Sequence, residues 1–326
     1  MHPTILPMQV KHLEEAAELA AGRYRNLLVQ IPYLPDSYAD PAHIHSILAS
    51  MQAESTGVVS LLGGKLIGYL CAWMLPDFLG RKAAFSPELA NGVVLEGGRR
   101  ILEEMYTYLA AAWTAEGIAT HLVSIQADDQ IAWQTWHWLG FGMIAADGLR
   151  TTEPLVKSWV DRRSPQQVMT AYDIRRAGVE DVGAVLALDT ALDTYLAESP
   201  TFMPHKSDHA IEEVQTWLAS SENAFWLARQ DGEPVAFIGM GPASQDACTI
   251  IVDGGTTSVL GAYTLESARS RGIATTLLEH GLAWARQRGY TRCAVDFEPM
   301  NPLARRFWLR YFQPVSYTLS RQVSRL

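Results

Sequence analysis

Two short stretches in the second half of the chain combine residue types that could hold and react with a ligand. The first is Arg269-Ser270-Arg271-Gly272-Ile273-Ala274-Thr275, which runs into an apolar segment of helical period. A helix start carries unpaired backbone N–H groups and a partial positive charge, and a glycine there lets a ligand approach the backbone. Arg269 and Arg271 add charge, Ser270 and Ala274 leave space, and the turn can therefore cradle a phosphate. By itself the pattern also suits an ordinary solvated turn. It contains neither GK[ST] nor GxGxxG, so ATP and NAD are not expected. The second stretch, RCAVDFE at 292–298, sets Asp296 and Glu298 in alternation with Val295 and Phe297, so both carboxylates point to the same side of a strand. Glu298, nearer the strand's C-terminal end, is the candidate to accept a proton, and an ion pair with Arg305 or Arg306 is its alternative use. Histidine offers less: His280 falls within a helix, and His205 and His209 on a polar segment.

These residues are positioned by elements that occur twice, at a spacing of roughly 170 residues. Residues 5–20 and 174–189 each read as a strand, a turn and a helix. Residues 58–73 and 225–240 each read as a hairpin, turning at Gly63-Gly64 and at Asp231-Gly232. A long helix follows in each half (97–117, 271–289), then an apolar strand (121–127, 292–298) and a further helix. In that last helix Asp129, Ala132, Thr135 and Trp136 align with Asn301, Ala304, Phe307 and Trp308. The expected fold is mixed α/β: two tandem domains, 1–150 and 170–326, each with a central twisted, mostly antiparallel sheet flanked by helices. The polar segment 151–169, with Pro154 and Pro165, is read as the linker, part of which could add a strand to the first domain.

The chain has 326 residues, 48% of them hydrophobic, and a net charge of −9, enough for two cores and unfavourable for nucleic acid or an anionic membrane. No stretch is apolar for the roughly 18–20 residues of a membrane span, and the N-terminus lacks a secretory pattern, so a cytoplasmic protein is expected. Cys71, Cys248 and Cys293 are widely spaced, which suggests neither disulfides nor a zinc knuckle, and no metal is expected.

Arg269–Ala274 matches (Q/R)xxGx(G/A), and with its flanking strand, helix, strand and Asn-x-x-Ala helix it resembles the GNAT N-acyltransferase superfamily over 170–326. The resemblance implies acetyl-CoA as cosubstrate, its pyrophosphate on the 269–275 turn and its pantetheine along Ala262, Tyr263 and Thr264. It also implies that the backbone N–H near Thr264 polarises the thioester and that Asn301 helps hold the CoA arm; Asn301 equally suits a helix N-cap before Pro302. Where the family commonly has a tyrosine to protonate the thiolate, this chain has Trp308, whose indole is no practical acid near neutral pH. Tyr311, three residues on, is the nearest substitute if it does not pack the core, and water or the departing ammonium proton could also serve. The first half has LANGVVLEGGRR in place of the motif, with Glu96 beside Gly97 and Gly98, and is read as a degenerate, non-catalytic domain; Arg99 and Arg100 leave CoA binding there as a second reading. Trp133, Trp136, Trp138 and Phe141 are read as core, with a cleft lining as alternative. The expected activity is acetyl transfer to a primary amine of a small molecule or peptide. A non-catalytic acyl-CoA sensor and thioesterase-like release of CoA are the alternatives.

Overall fold

The structure is a computed structural model that describes residues 2–156, 165–204, 211–243 and 248–323. His205, His209 and linker residues 157–164 lie outside the described residues. In chain order the first half contains β1 (Thr4–Pro7), α1 (Leu13–Gln30), α2 (Pro41–Glu54), β2 (Ser55–Leu62), β3 (Lys65–Phe78), β4 (Arg81–Ser86), β5 (Asn91–Val93), α3 (Gly98–Ala115), β6 (Thr120–Gln126), α4 (Gln130–Trp138) and β7 (Gly142–Thr151). The second contains α5 (Pro165–Ala171), β8 (Asp173–Arg176), α6 (Val182–Ala197), α7 (Ile211–Ala219), β9 (Ala224–Gln230), β10 (Glu233–Pro242), β11 (Thr256–Thr264), α8 (Ile273–Gln287), β12 (Arg292–Phe297) and α9 (Pro302–Tyr311), and the chain ends on β13 (Gln313–Gln322). Both expected hairpin turns form, with positive φ at Gly63 (60°) and Gly64 (85°) and at Asp231 (53°) and Gly232 (90°), the twist-matched turn that joins adjacent strands. Among the described residues no helix is long and apolar enough to cross a membrane.

The chain divides into two compact units, each assembled from more than one stretch of sequence. The first comprises Met1–Gly148, Gln245–Ile251 and Gln313–Leu326, and the second Leu149–Ser244 and Val252–Phe312. The last strand, expected in the second domain, pairs antiparallel with β6 from Ser316↔Gln126 to Gln322↔Thr120. Alternation along β13 buries Val315 and Leu319, which shows that one face is covered but carries no information on which sheet receives it. The start of the expected linker is ordered against the second unit: Thr152 N donates to Thr291 O at 3.1 Å and Thr152 Oγ1 to Tyr290 O at 3.0 Å.

Within the first unit β1, β2, β3 and β4 pair antiparallel in sequence order, and β6 joins β4 in parallel. Leu102, Met105 and Leu109, one stripe of α3, pack with Trp136 and Phe141 in its core. Each such side chain contributes roughly 1.5–3 kcal/mol by leaving water. Of the four expected core aromatics, Trp136 and Phe141 are buried, Trp133 packs at 5.4 Å from Tyr317, and Trp138 is exposed with Arg99 over its ring at 5.4 Å. In the second unit β8, β9, β10 and β11 are antiparallel and β12 joins β11 in parallel. Val185 and Leu188 of α6 pack on Phe225, Leu227 and Phe237. In α8, Ile273, Leu277, Leu278 and Leu282 form the buried stripe that fixes where the helix begins.

Candidate functional site

The second unit's two parallel strands part company. β11 and β12 pair only at Thr256↔Arg292, Thr257↔Cys293 and Ser258↔Ala294, although β11 runs on to Thr264 and β12 to Phe297. The paired end is pinned by Asp253, which forms an ion pair with Arg292 and whose Oδ1 accepts from Gly255 N and Thr256 Oγ1, each at 2.9 Å. The register of β11 on β10 slips between Gly239↔Gly261 and Met240↔Val259, so Leu260 is an extra residue outside that ladder. A bulge of this kind bends a strand and disrupts pairing locally, which turns β11 away from β12. Next to the point of parting, Ser258 Oγ is buried without a hydrogen-bond partner.

The wedge leads to the start of α8. Gly272 is the N-cap with φ 85° and ψ 0°, a left-handed conformation that costs any L-residue about 1–2 kcal/mol, and Ser270 before it also has positive φ (60°). Together they turn the N–H groups of the first helical turn toward one side, which is what an anion needs. A cavity of 970 Å³ joins wedge and turn, and Ala262, Tyr263, Thr264, Arg269, Ser270, Gly272, Ile273, Ala274, Thr275, Glu298, Asn301 and Trp308 all line it.

Arg271 and Tyr311 stand apart from this lining. Arg271 Nη1 donates to Tyr172 OH at 3.1 Å, outside the lining. Tyr311 OH lies 3.1 Å from Oγ1 of Thr275, which lines the cavity, so the two hydroxyls join α9 to the first turn of α8. Trp308 is buried against Phe307 (4.8 Å) and Phe312 (5.5 Å) while its edge reaches the cavity. Asn301 forms the expected helix N-cap and also lines the cavity. Its Oδ1 caps α9 by accepting from Leu303 N and Ala304 N, each at 3.2 Å, and from Tyr195 OH at 3.4 Å, which leaves Nδ2 as the group it can offer a ligand.

Arg269 occupies the channel between turn and wedge. Its guanidinium stacks over Tyr195 at 4.6 Å and Tyr263 at 5.6 Å, and its Nε donates to Thr264 O at 3.1 Å. The Thr264 carbonyl is thus already engaged, whereas Leu260 belongs neither to the β10 ladder nor to the short β12 ladder. Leu260 thus sits at the bulge beside the parting of the strands. Sequence reasoning missed Tyr195, Asp189 and Asp193, which line the cavity from α6. The signal was available: two aspartates one helical turn apart on an otherwise apolar helix.

The first unit contains the same parts in a closed arrangement. Gly97 caps α3 with φ 71° and ψ 5°, nearly the geometry of Gly272. β4 and β6 also pair only as far as Ser86↔Val123. Beyond that point, however, Asn91 Nδ2 donates to Ser86 Oγ (3.3 Å), Pro87 O (2.9 Å) and Ser124 O (2.9 Å), so the chain itself fills the wedge.

Residues 191–312 match the model of the Acetyltransferase (GNAT) family. A GCN5-related N-acetyltransferase from Sphaerobacter thermophilus is similar in structure over 99% of this chain and 96% of its own, with a TM-score of 0.60 at 13% identity. A GCN5-related glucosamine N-acetyltransferase region of a fungal multi-domain GH3 β-N-acetylglucosaminidase is similar over 98% of this chain, with a TM-score of 0.56 at 14% identity. This chain spans 38% of that protein's length. At such identities the likeness is one of fold. No curated protein matches the chain.

Proposed function

We propose that the second unit, whose residues 191–312 match the Acetyltransferase (GNAT) family model, moves an acetyl group from acetyl-CoA to a primary amine by direct attack. The observation that carries this reading is the parting of β11 and β12 beside a glycine-capped helix, with one cavity joining the two. The residues suit such a donor. The first turn of α8 takes the pyrophosphate, Asn301 Nδ2 and the free edge of Ala262–Thr264 take the pantetheine arm, and Ser258 Oγ is a buried polar atom in need of a partner. Arg269 must leave Tyr195 and Tyr263 for the arm to lie along β11, and its charge then moves toward the phosphates.

Transfer to nitrogen requires a neutral amine, a donor for the developing oxyanion and a proton for the thiolate. Glu298 accepts the amine's proton, directly or through water. The N–H of Leu260 serves the oxyanion. With Trp308 unable to give up a proton and Tyr311 tied to Thr275, the proton taken from the attacking amine is the one that reaches the sulfur. Asp189, Asp193, Asp296 and Glu298 line the cavity together with Arg269, Arg306 and Arg310; with Arg269 drawn toward the phosphates, the acidic side chains favour an acceptor that arrives as a cation.

The test is thiol release from acetyl-CoA across a panel of polyamines, aminoglycosides, amino acids and peptide N-termini, with calorimetry for binding. Amine-stimulated release with acetylated product is expected. Trp308 in the tyrosine position favours a second reading, a non-catalytic acyl-CoA sensor; binding without amine-stimulated release would establish that reading instead.

A further inference from the structure

The first unit contains a group of buried side chains that acyl transfer does not use. Glu88 lies between β4 and β5, Asp147 on β7, and Cys248 in the segment Gln245–Ile251 that the second half of the chain contributes to this unit. One ligand atom from each lies within 4.8 Å of the other two. All three are buried, at 3%, 4% and 0% exposure. Glu88 Oε1 accepts from Ser316 Oγ at 2.9 Å, and the Cys248 thiol and the Thr249 N–H also face the carboxyl group, but Oε2 is buried and makes no hydrogen bond of standard geometry, and among the described residues Glu88 makes no ion pair. A carboxylate oxygen enclosed in this way is costly unless a proton or a cation meets it.

We propose that Glu88, Asp147 and Cys248 bind a divalent cation of the zinc class. Two carboxylates and one thiol favour such an ion over magnesium or calcium, which take oxygen ligands alone. Zinc–ligand bonds of about 2.0–2.3 Å put tetrahedral ligand atoms roughly 3.3–3.8 Å apart, a contraction that side-chain rotation supplies from the observed group. The ion gives Glu88 Oε2 its missing partner, and binding displaces the thiol proton of Cys248 to solvent. It also ties the 248–251 segment, whose Ile250 carbonyl receives Tyr24 OH at 3.4 Å, to the sheet of the first unit. The separation of the cysteines in sequence argued against a zinc knuckle, and a site assembled from three distant elements leaves no such spacing to find.

The test uses the tag-free full chain, desalted after incubation with Zn2+, and elemental analysis. One equivalent of zinc per chain is expected, retained by a C71S/C293S double variant and lost from C248S and from E88Q. With Co2+ in its place, a thiolate-to-metal charge-transfer band should appear in the wild type and in C71S/C293S. Should C248S or E88Q fail to fold, the wild type decides: Zn2+ should raise its unfolding midpoint by several degrees, reversibly with chelator. No retained equivalent and no shift would overturn the site. A cobalt band that survives in C248S would overturn it as well.

Discussion

Substituting Gly272 by glutamate separates the anion cradle from the helix that forms it. Gly272 has φ 85°, so any side chain there costs about 1–2 kcal/mol of backbone strain, whether or not a ligand is bound. That strain lowers the unfolding midpoint and cancels from the dissociation constant. The added carboxylate is different. At roughly 6 Å from a pyrophosphate on the first turn of α8, each pair of like charges repels by about 3 kcal/mol at an effective dielectric of 20, and solvent at the cavity mouth screens part of this. A net loss of about 3 kcal/mol corresponds to a weakening of more than ~100-fold in Kd for acetyl-CoA. Calorimetry should therefore show Gly272→Ala near the wild type and Gly272→Glu close to the limit of detection. Gly97 supplies the matched control, having φ 71° and open space where a Cβ would stand. Gly97→Glu introduces the same strain and charge at the corresponding helix of the closed wedge and should leave Kd unchanged. Unaltered binding by Gly272→Glu, or equal weakening by both glutamates, would show that the cradle has been assigned to the wrong place.

Other substitutions probe chemistry and stability. Glu298→Gln should lower kcat by about 10²-fold or more while Kd for acetyl-CoA stays within a few-fold, the pattern of a lost base; full activity would remove Glu298 from that role. Tyr311→Phe should keep kcat within about threefold, because its hydroxyl meets Thr275, and a loss as large as that of Glu298→Gln would restore it as the acid. Although burial opposes ionisation of Asp181, the Arg175 fork (2.8 and 2.7 Å), Gly178 N (3.0 Å) and Arg229 (3.0 Å) hold its carboxyl below the usual range. A depressed native pKa stabilises the fold above the unfolded value of about 4 and ceases to do so as pH falls through the native value. Urea unfolding of the wild type should thus weaken below about pH 4, and Asp181→Asn should cost about 2–3 kcal/mol at pH 7, discounted because Arg175 is 40% exposed, while flattening the acid limb. An unchanged acid limb in Asp181→Asn would assign that loss to other carboxylates.

Much of this protein was legible in its residues wherever neighbours in the chain decide the outcome. Gly63-Gly64 and Asp231-Gly232 make their turns because glycine and aspartate accept the backbone angles required. Asn301 and Asp129 cap equivalent helices because a short side chain reaches the N–H groups two and three residues ahead. The glycine-capped turn, the long helix behind it and the strand leading to two carboxylates were local readings of the same kind. The first unit's Gly97 shows the limit: it has almost the backbone geometry of Gly272, and what separates the two sites is Asn91 reaching across to Ser124.

Tertiary structure alone decided the rest, because it depends on pairings between distant strands. Alternation along β13 demanded one covered face without saying that β6 would provide the pairing edge. Tyr311 has the spacing of a cavity residue but turns its hydroxyl to Thr275, a partner set by how α9 packs on α8. Leu260 becomes a bulge only because β10 holds a register one residue shorter. The sequence by itself determined where helices and turns begin. The long-range contacts determined which wedge stayed open, which was filled by its own chain, and which buried carboxylate was left with an oxygen to satisfy.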